Sequence, residues 1–220
     1  HGDRWTRSLF TEYLLDRTRY GDDPAESNGF AILGGRLGYD GLDDPLFPSE
    51  GVVIDVSLQG AAEPLLSAAS FLRTRAFVGG YLSLGQWIVA GRGEAGVVLT
   101  DDFDAMPRSL RFFTGGDRSV RGYAYDSLAP EDEDVTRIGG KYLLAGSLEA
   151  MYPVIGDDWY LAAFVDSGNA YIDPEAELKT GAGFGLRWRS PVGMVRVDVA
   201  QPLDGRDGLP RLHLGLGAAF

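Results

Sequence analysis

Few residues in this sequence have the type and spacing for bond-making chemistry. His1 and His213 are the only imidazoles among 220 residues, and cysteine is absent. Disulfides and cysteine-ligated zinc are thereby excluded, and histidine-based catalysis has almost nothing to work with. No G-x-S-x-G nucleophile elbow occurs, and His213 has no evident serine partner. Gly181-Ala182-Gly183-Phe184-Gly185 is not a dinucleotide fingerprint, because no helix follows it. Asp101, Asp102 and Asp104 could hold a cation together with Glu131–Asp134, but acidic loops are ordinarily just solvated. The expectation is therefore a non-enzyme with no catalytic residue, no metal and no cofactor.

Charge pairing is the chemistry that remains, and it centres on Arg121. This residue stands in Val120-Arg121-Gly122-Tyr123, shortly after Gly115-Gly116. Paired glycines permit backbone angles that other residues resist, and Gly122 lets the chain turn directly after the arginine. If that segment tucked into a confined space, its guanidinium would need a carboxylate, since an unpaired buried charge is costly. Asp166, in Phe164-Val165-Asp166-Ser167-Gly168, is one candidate and Glu149 is another. The alternative is a surface arginine in a flexible hairpin loop.

Which of these holds depends on the elements that carry the residues. Thirty-one glycines and 25 aromatics (ten Tyr, eleven Phe, four Trp) point to a β-rich chain with many turns. Apolar residues recur with a period of two. Leu212, Leu214, Leu216 and Phe220 share one face at the end of the sequence, opposite Arg211 and His213. Val195, Val197 and Val199 oppose Arg196 and Asp198, and Leu161, Ala163 and Val165 oppose Tyr160, Ala162, Phe164 and Asp166. The pattern predicts ten strands, at 4–18, 29–39, 52–59, 71–83, 87–99, 141–152, 158–168, 179–189, 192–203 and 211–220. No helix of ordinary length shows an apolar stripe, although Pro64–Ala69 could form a helical turn.

Alternation alone fits a soluble β-sandwich as well as a membrane barrel, whose strands also lack the ~18-residue apolar run of a spanning helix. The links separate the two. Those at 84–86, 153–157 and 190–191 are tight, whereas 100–140, 169–178 and 204–210 are long and polar, which is the rhythm of an outer-membrane barrel. The region 41–70 fits less well, because both of its links run to about ten residues. Trp5, Tyr13, Trp87, Tyr152, Trp159, Tyr160 and Trp188 fall near strand ends, where interfacial girdles sit. A net charge of −12 argues against nucleic acid as a partner.

Residues 110–130, LRFFTGGDRSVRGYAYDSLAP, closely resemble the signature loop of the TamA family, barrel subunits of the translocation and assembly module. TamA belongs to the outer-membrane insertase superfamily with BamA and the two-partner secretion transporters. The superfamily's V/I-R-G-F/Y motif is matched by Val120-Arg121-Gly122-Tyr123, and its F-x-D-x-G motif by Phe164, Asp166 and Gly168. Pro48-Ser49-Glu50-Gly51 is similar to the P-T-x-G turn, with serine in place of threonine. The likeness runs from about Trp5 to Phe220.

The resemblance implies an all-β antiparallel transmembrane barrel of about sixteen strands in the bacterial outer membrane. Residues 1–220 would form its C-terminal ten or so strands, without the family's periplasmic POTRA domains. It also implies that the long loop reaches into the lumen, where the Phe164-Asp166-Gly168 strand holds its arginine. Leu212, Leu214, Leu216 and Phe220 would form the C-terminal β-signal. Outer-membrane lipids, unfolded outer-membrane proteins such as autotransporters, and a TamB-like periplasmic protein are the implied partners. A secretion pore of the two-partner type is the alternative within the superfamily.

Overall fold

The computed structural model describes residues 4–18, 26–65, 67–132, 137–204 and 208–217. Among the described residues ten strands follow one another: β1 (Trp5–Thr18), β2 (Glu26–Asp40), β3 (Gly51–Ala61), β4 (Phe71–Leu84), β5 (Trp87–Thr100), β6 (Tyr142–Ile155), β7 (Trp159–Tyr171), β8 (Lys179–Ser190), β9 (Gly193–Pro202) and β10 (Arg211–Gly217). They form one antiparallel sheet in chain order, each strand paired with its sequence neighbours. Among the described residues β1 pairs only with β2, and β10 only with β9. Phe220 lies outside the described residues.

Alternation along each strand sorts side chains between two very different surfaces. On β7, Leu161, Ala163 and Val165 are exposed while Ala162, Phe164 and Asp166 are buried. Leu212, Leu214 and Leu216 of β10 are exposed too, so they do not line the closed interior of a sandwich. Leucine and valine thus face outward on these strands while the buried charge of Asp166 faces inward, an outward-apolar arrangement that suits a barrel in lipid.

The sheet curls enough for Phe47, from the β2–β3 link, to reach Tyr160 of β7 at a ring separation of 5.1 Å. Tyr160 was expected in the outer girdle, but it belongs to the inward face and packs in the lumen. The girdle itself is built from cross-strand pairs: Trp5–Tyr39, Trp87–Tyr152 and Trp159–Trp188 lie at the short-turn end, and Tyr142–Tyr171 at the other.

Two apolar clusters fill the inside. One gathers Phe47, Tyr81, Ile88, Met151, Tyr160 and Met194 at the short-turn end. The other gathers Phe30, Phe71, Val98, Phe103, Met106 and Phe112 near the long loop. The misfit link 41–50 is explained by the first cluster: it is no hairpin turn but a flap folded over the lumen. Asp43 fastens it by accepting the amides of Ser49 and Glu50 and the Ser49 hydroxyl. Burial raises the Asp43 pKa, but these hydrogen bonds outweigh it and bring the carboxyl down from 3.8 to about 2. Gly51 closes the turn at φ 113°, where a Cβ would lie 2.4 Å from the Gly41 carbonyl oxygen. The helical turn expected at Pro64–Ala69 is a single 3₁₀ turn, Glu63–Leu65.

Candidate functional site: an arginine clasped inside the barrel wall

The 101–141 segment between β5 and β6 folds back on itself. Isolated bridges join Phe112 to Gly140 and Thr114 to Leu128, and the Gly115 amide donates to Ser119 Oγ at 2.8 Å. Arg111 ties down its base by donating to the carbonyls of Asp104, Met106 and Ile138. From this base the tip carries Val120 and Arg121 into the lumen, where they are 0% and 3% exposed.

Every side-chain N–H of Arg121 finds an acceptor. Nε donates to Asp166 Oδ2 at 2.7 Å and Nη2 to Asp166 Oδ1 at 2.9 Å, a two-pronged grip that fits a planar guanidinium. Nη1 donates to Glu149 Oε2 at 2.7 Å and to Asp198 Oδ2 at 3.1 Å, and Nη2 also reaches Ser147 Oγ at 3.3 Å. The Arg121 backbone amide adds a bond to Asp166 Oδ2, and the Phe164 ring lies 3.3 Å beneath Cζ. Asp166 is fully buried; it also accepts the Ser147 hydroxyl at 2.6 Å.

A second arginine completes the cluster. Arg187 of β8, also fully buried, donates to Glu149 from Nε and Nη2 (2.8 and 2.7 Å) and to Asp198 from Nη1 (2.5 Å). Two guanidinium groups are thus interleaved with three carboxylates drawn from β6, β7 and β9. Arg92 of β5 borders the cluster and donates to the Ser119 carbonyl at 3.2 Å. The pocket left beside Arg92, Arg121, Glu149 and Arg196 holds about 30 Å³. That is far below the several hundred Å³ of a small-molecule site, so this is a clasp rather than a binding pocket.

Glycines on β8 make the space. A Cβ at Gly181 would lie 1.9 Å from the Arg121 carbonyl oxygen, one at Gly183 2.7 Å from the Phe164 ring, and one at Gly185 1.9 Å from Asp198 Oδ1. On β7, a Cβ at Gly168 would lie 2.8 Å from Ala145. Gly122, at φ 96°, packs on the Pro202 backbone, and its amide donates to His213 Nε2 at 3.0 Å. Tyr123 donates to the Thr180 carbonyl and to Asp204, both at 3.3 Å; burial first and then Asp204 raise its pKa.

A ten-stranded wall with apolar groups outside and a loop clasped within is the geometry on which the comparisons bear. A family model described as the Omp85 superfamily domain matches residues 17–220. The chain belongs to the Omp85 superfamily. The outer membrane protein assembly factor BamA of Nitratidesulfovibrio vulgaris is 32% identical over 183 residues, covering 79% of this chain and 23% of that protein. The same factor from Neorickettsia risticii is 27% identical over 166 residues, covering 68% and 22%. The crystal structure of BamA from Haemophilus ducreyi lacking POTRA domains 1–3 superposes with a TM-score of 0.79. That match covers 98% of this chain and 50% of the other at 19% identity, a likeness of fold. The chain spans less than a quarter of the curated BamA relatives and half of the solved one.

This Omp85 wall is an outer-membrane β-barrel structure. Within it Arg121 contacts both Asp166 and Glu149. Asp198, Arg187, Ser147 and His213 were not singled out as partners. Asp198, Arg187 and His213 stand on the polar face of their strands, which was readable. Which of these polar residues converge depends on register: Asp198 pairs with Gly185 on one side and His213 on the other. The acidic loop positions gather no cluster of metal-ligating groups among the described residues.

Proposed function

We propose that this Omp85 chain forms the wall of an insertase-type barrel that assists folding and insertion of other outer-membrane proteins. Its work is physical rather than covalent. In hydrocarbon each unsatisfied backbone polar group costs on the order of several kcal/mol, so an incoming strand gains by pairing with an available edge. The observation that carries this reading is β10 itself: among the described residues it pairs only with β9, and it turns Leu212, Leu214 and Leu216 outward. Gly215 and Gly217 weaken β10, because glycine adds entropy cost and no packing. The clasped loop stiffens the wall through β6 to β9, so opening concentrates at β10.

The likeness of residues 110–130 to the TamA signature supports unfolded autotransporters as substrates and a TamB-like periplasmic protein as partner. The loop and the flap both occupy the lumen, which speaks against an open secretion pore.

The absence of cysteine makes the test clean. With the protein reconstituted in outer-membrane lipid, Leu214→Cys is expected to form a disulfide with a cysteine in the terminal strand of an unfolded autotransporter barrel. Leu82→Cys, in mid-wall, is expected to form none. Equal cross-linking at both positions overturns the reading, and equal capture of barrels that are not autotransporters overturns its narrower form.

A further inference from the structure

His213 is one of two histidines in the chain, and it faces the lumen from β10. Its Nε2 lies 3.0 Å from the Gly122 amide nitrogen, across 91 residues of sequence. An amide N–H can only donate, so Nε2 must present a lone pair; the ring is neutral and carries its proton on Nδ1. Gly122 directly follows Arg121, which Asp166, Glu149 and Asp198 hold in place. The same Asp198 is the β9 partner of His213 across the ladder. β10 is therefore tied to the clasp twice, through its backbone ladder to β9 and through this side chain to the loop.

We propose that His213 is a positioning residue for the edge strand: a neutral imidazole that latches β10 to the lumen loop and releases it on protonation. An imidazolium has no lone pair at Nε2, so acid sets one donor against another and the bond is lost. The charged groups around the ring are Asp117 and Arg121 of the loop, Asp198 of β9 and Arg211 of β10 itself. These carry two charges of each sign, and the contact that protonation directly removes is the hydrogen bond from the Gly122 amide. Against the seven ladder pairs that β10 makes among the described residues, one bond more or less is a measurable contribution. The latch makes the proposed template edge responsive to pH; that consequence rests on the insertase reading, whereas the latch itself does not.

The test measures amide hydrogen exchange of Leu212–Leu216 in the detergent-folded protein, corrected for intrinsic rates, between pH 8 and pH 5.5. Opening of β10 is expected to increase about three- to tenfold as the pH falls, the range set by one net hydrogen bond. His213→Gln keeps an acceptor but cannot titrate, and is expected to show no such rise. A flat wild-type profile, or an equal rise in the glutamine variant, overturns the latch. If His213→Gln fails to fold, nitrogen NMR of the wild-type imidazole decides instead. A neutral ring protonated at Nδ1 at pH 8 supports the latch, and one protonated at Nε2 overturns it. Absence of substrate cross-linking at every pH, with the exchange result intact, counts against the proposed function and not against the latch.

Discussion

Arg121 makes five side-chain donor contacts in the lumen, to Asp166, Glu149, Asp198 and Ser147. No other side chain could reproduce that set. Lysine carries the same charge but has three donors on a point-like head and cannot grip Asp166 with two prongs. Arg121→Lys is expected to lower unfolding stability by about 1–3 kcal/mol. Arg121→Ala leaves the fully buried Asp166 uncompensated, and a loss of about 3–5 kcal/mol is expected. Urea titration of the detergent-folded protein reads both, and an Arg121→Lys variant as stable as wild type would show that fork geometry contributes nothing. Gly181→Ala approaches the same site from the wall, since its methyl would collide with the Arg121 carbonyl oxygen. It is expected to cost about 1–3 kcal/mol and to expose residues 118–123 to protease. An unchanged digestion pattern would mean that the loop does not need this gap.

Among the elements, the 41–50 flap and the strand faces make separate demands. The flap depends on an ionised Asp43. Because its carboxyl titrates lower in the folded protein than the ordinary 3.8, its contribution is fully present above about pH 4 and is lost as the pH falls through about 2. The stability gap between wild type and Asp43→Ala is thus expected to be constant from pH 7 to about 5 and to close toward pH 2. A gap that persists at pH 2 would contradict the assignment. On β6, Leu148 points outward and is 56% exposed. Leu148→Arg puts a charge at mid-strand against lipid and is expected to cost about 2–4 kcal/mol in a bilayer, and much less in a small polar detergent. Equal costs in both media would place this face away from hydrocarbon.

At the scale of the molecule, the clasp and the flap turn a curled sheet into a filled one. Strands β6 to β9 share buried charge, and β10 is joined to that block by its ladder to β9 and by His213. The folded protein is expected to migrate faster in unheated detergent gels than after boiling. Arg121→Ala should make that transition at lower temperature. Identical heat resistance in variant and wild type would remove the loop from the account of barrel integrity.

The alternation at Leu161–Val165 and Leu212–Leu216 already assigned faces, because a strand's period of two is a local property of the backbone. The tight links and the long 100–140 loop likewise placed all ten strands to within a few residues, and Arg121 stood out as a guanidinium beside hinges of glycine. Partnership was another matter. That Arg121 meets three carboxylates, that Arg187 joins them, that Tyr160 meets Phe47, and that His213 accepts from Gly122 follow from strand register and sheet curvature. Those are set by residues scores of positions apart, and a one-residue slip would have sent Asp198 out to the lipid face. Local pattern decided which way each side chain looks; only the curled sheet decided what it sees.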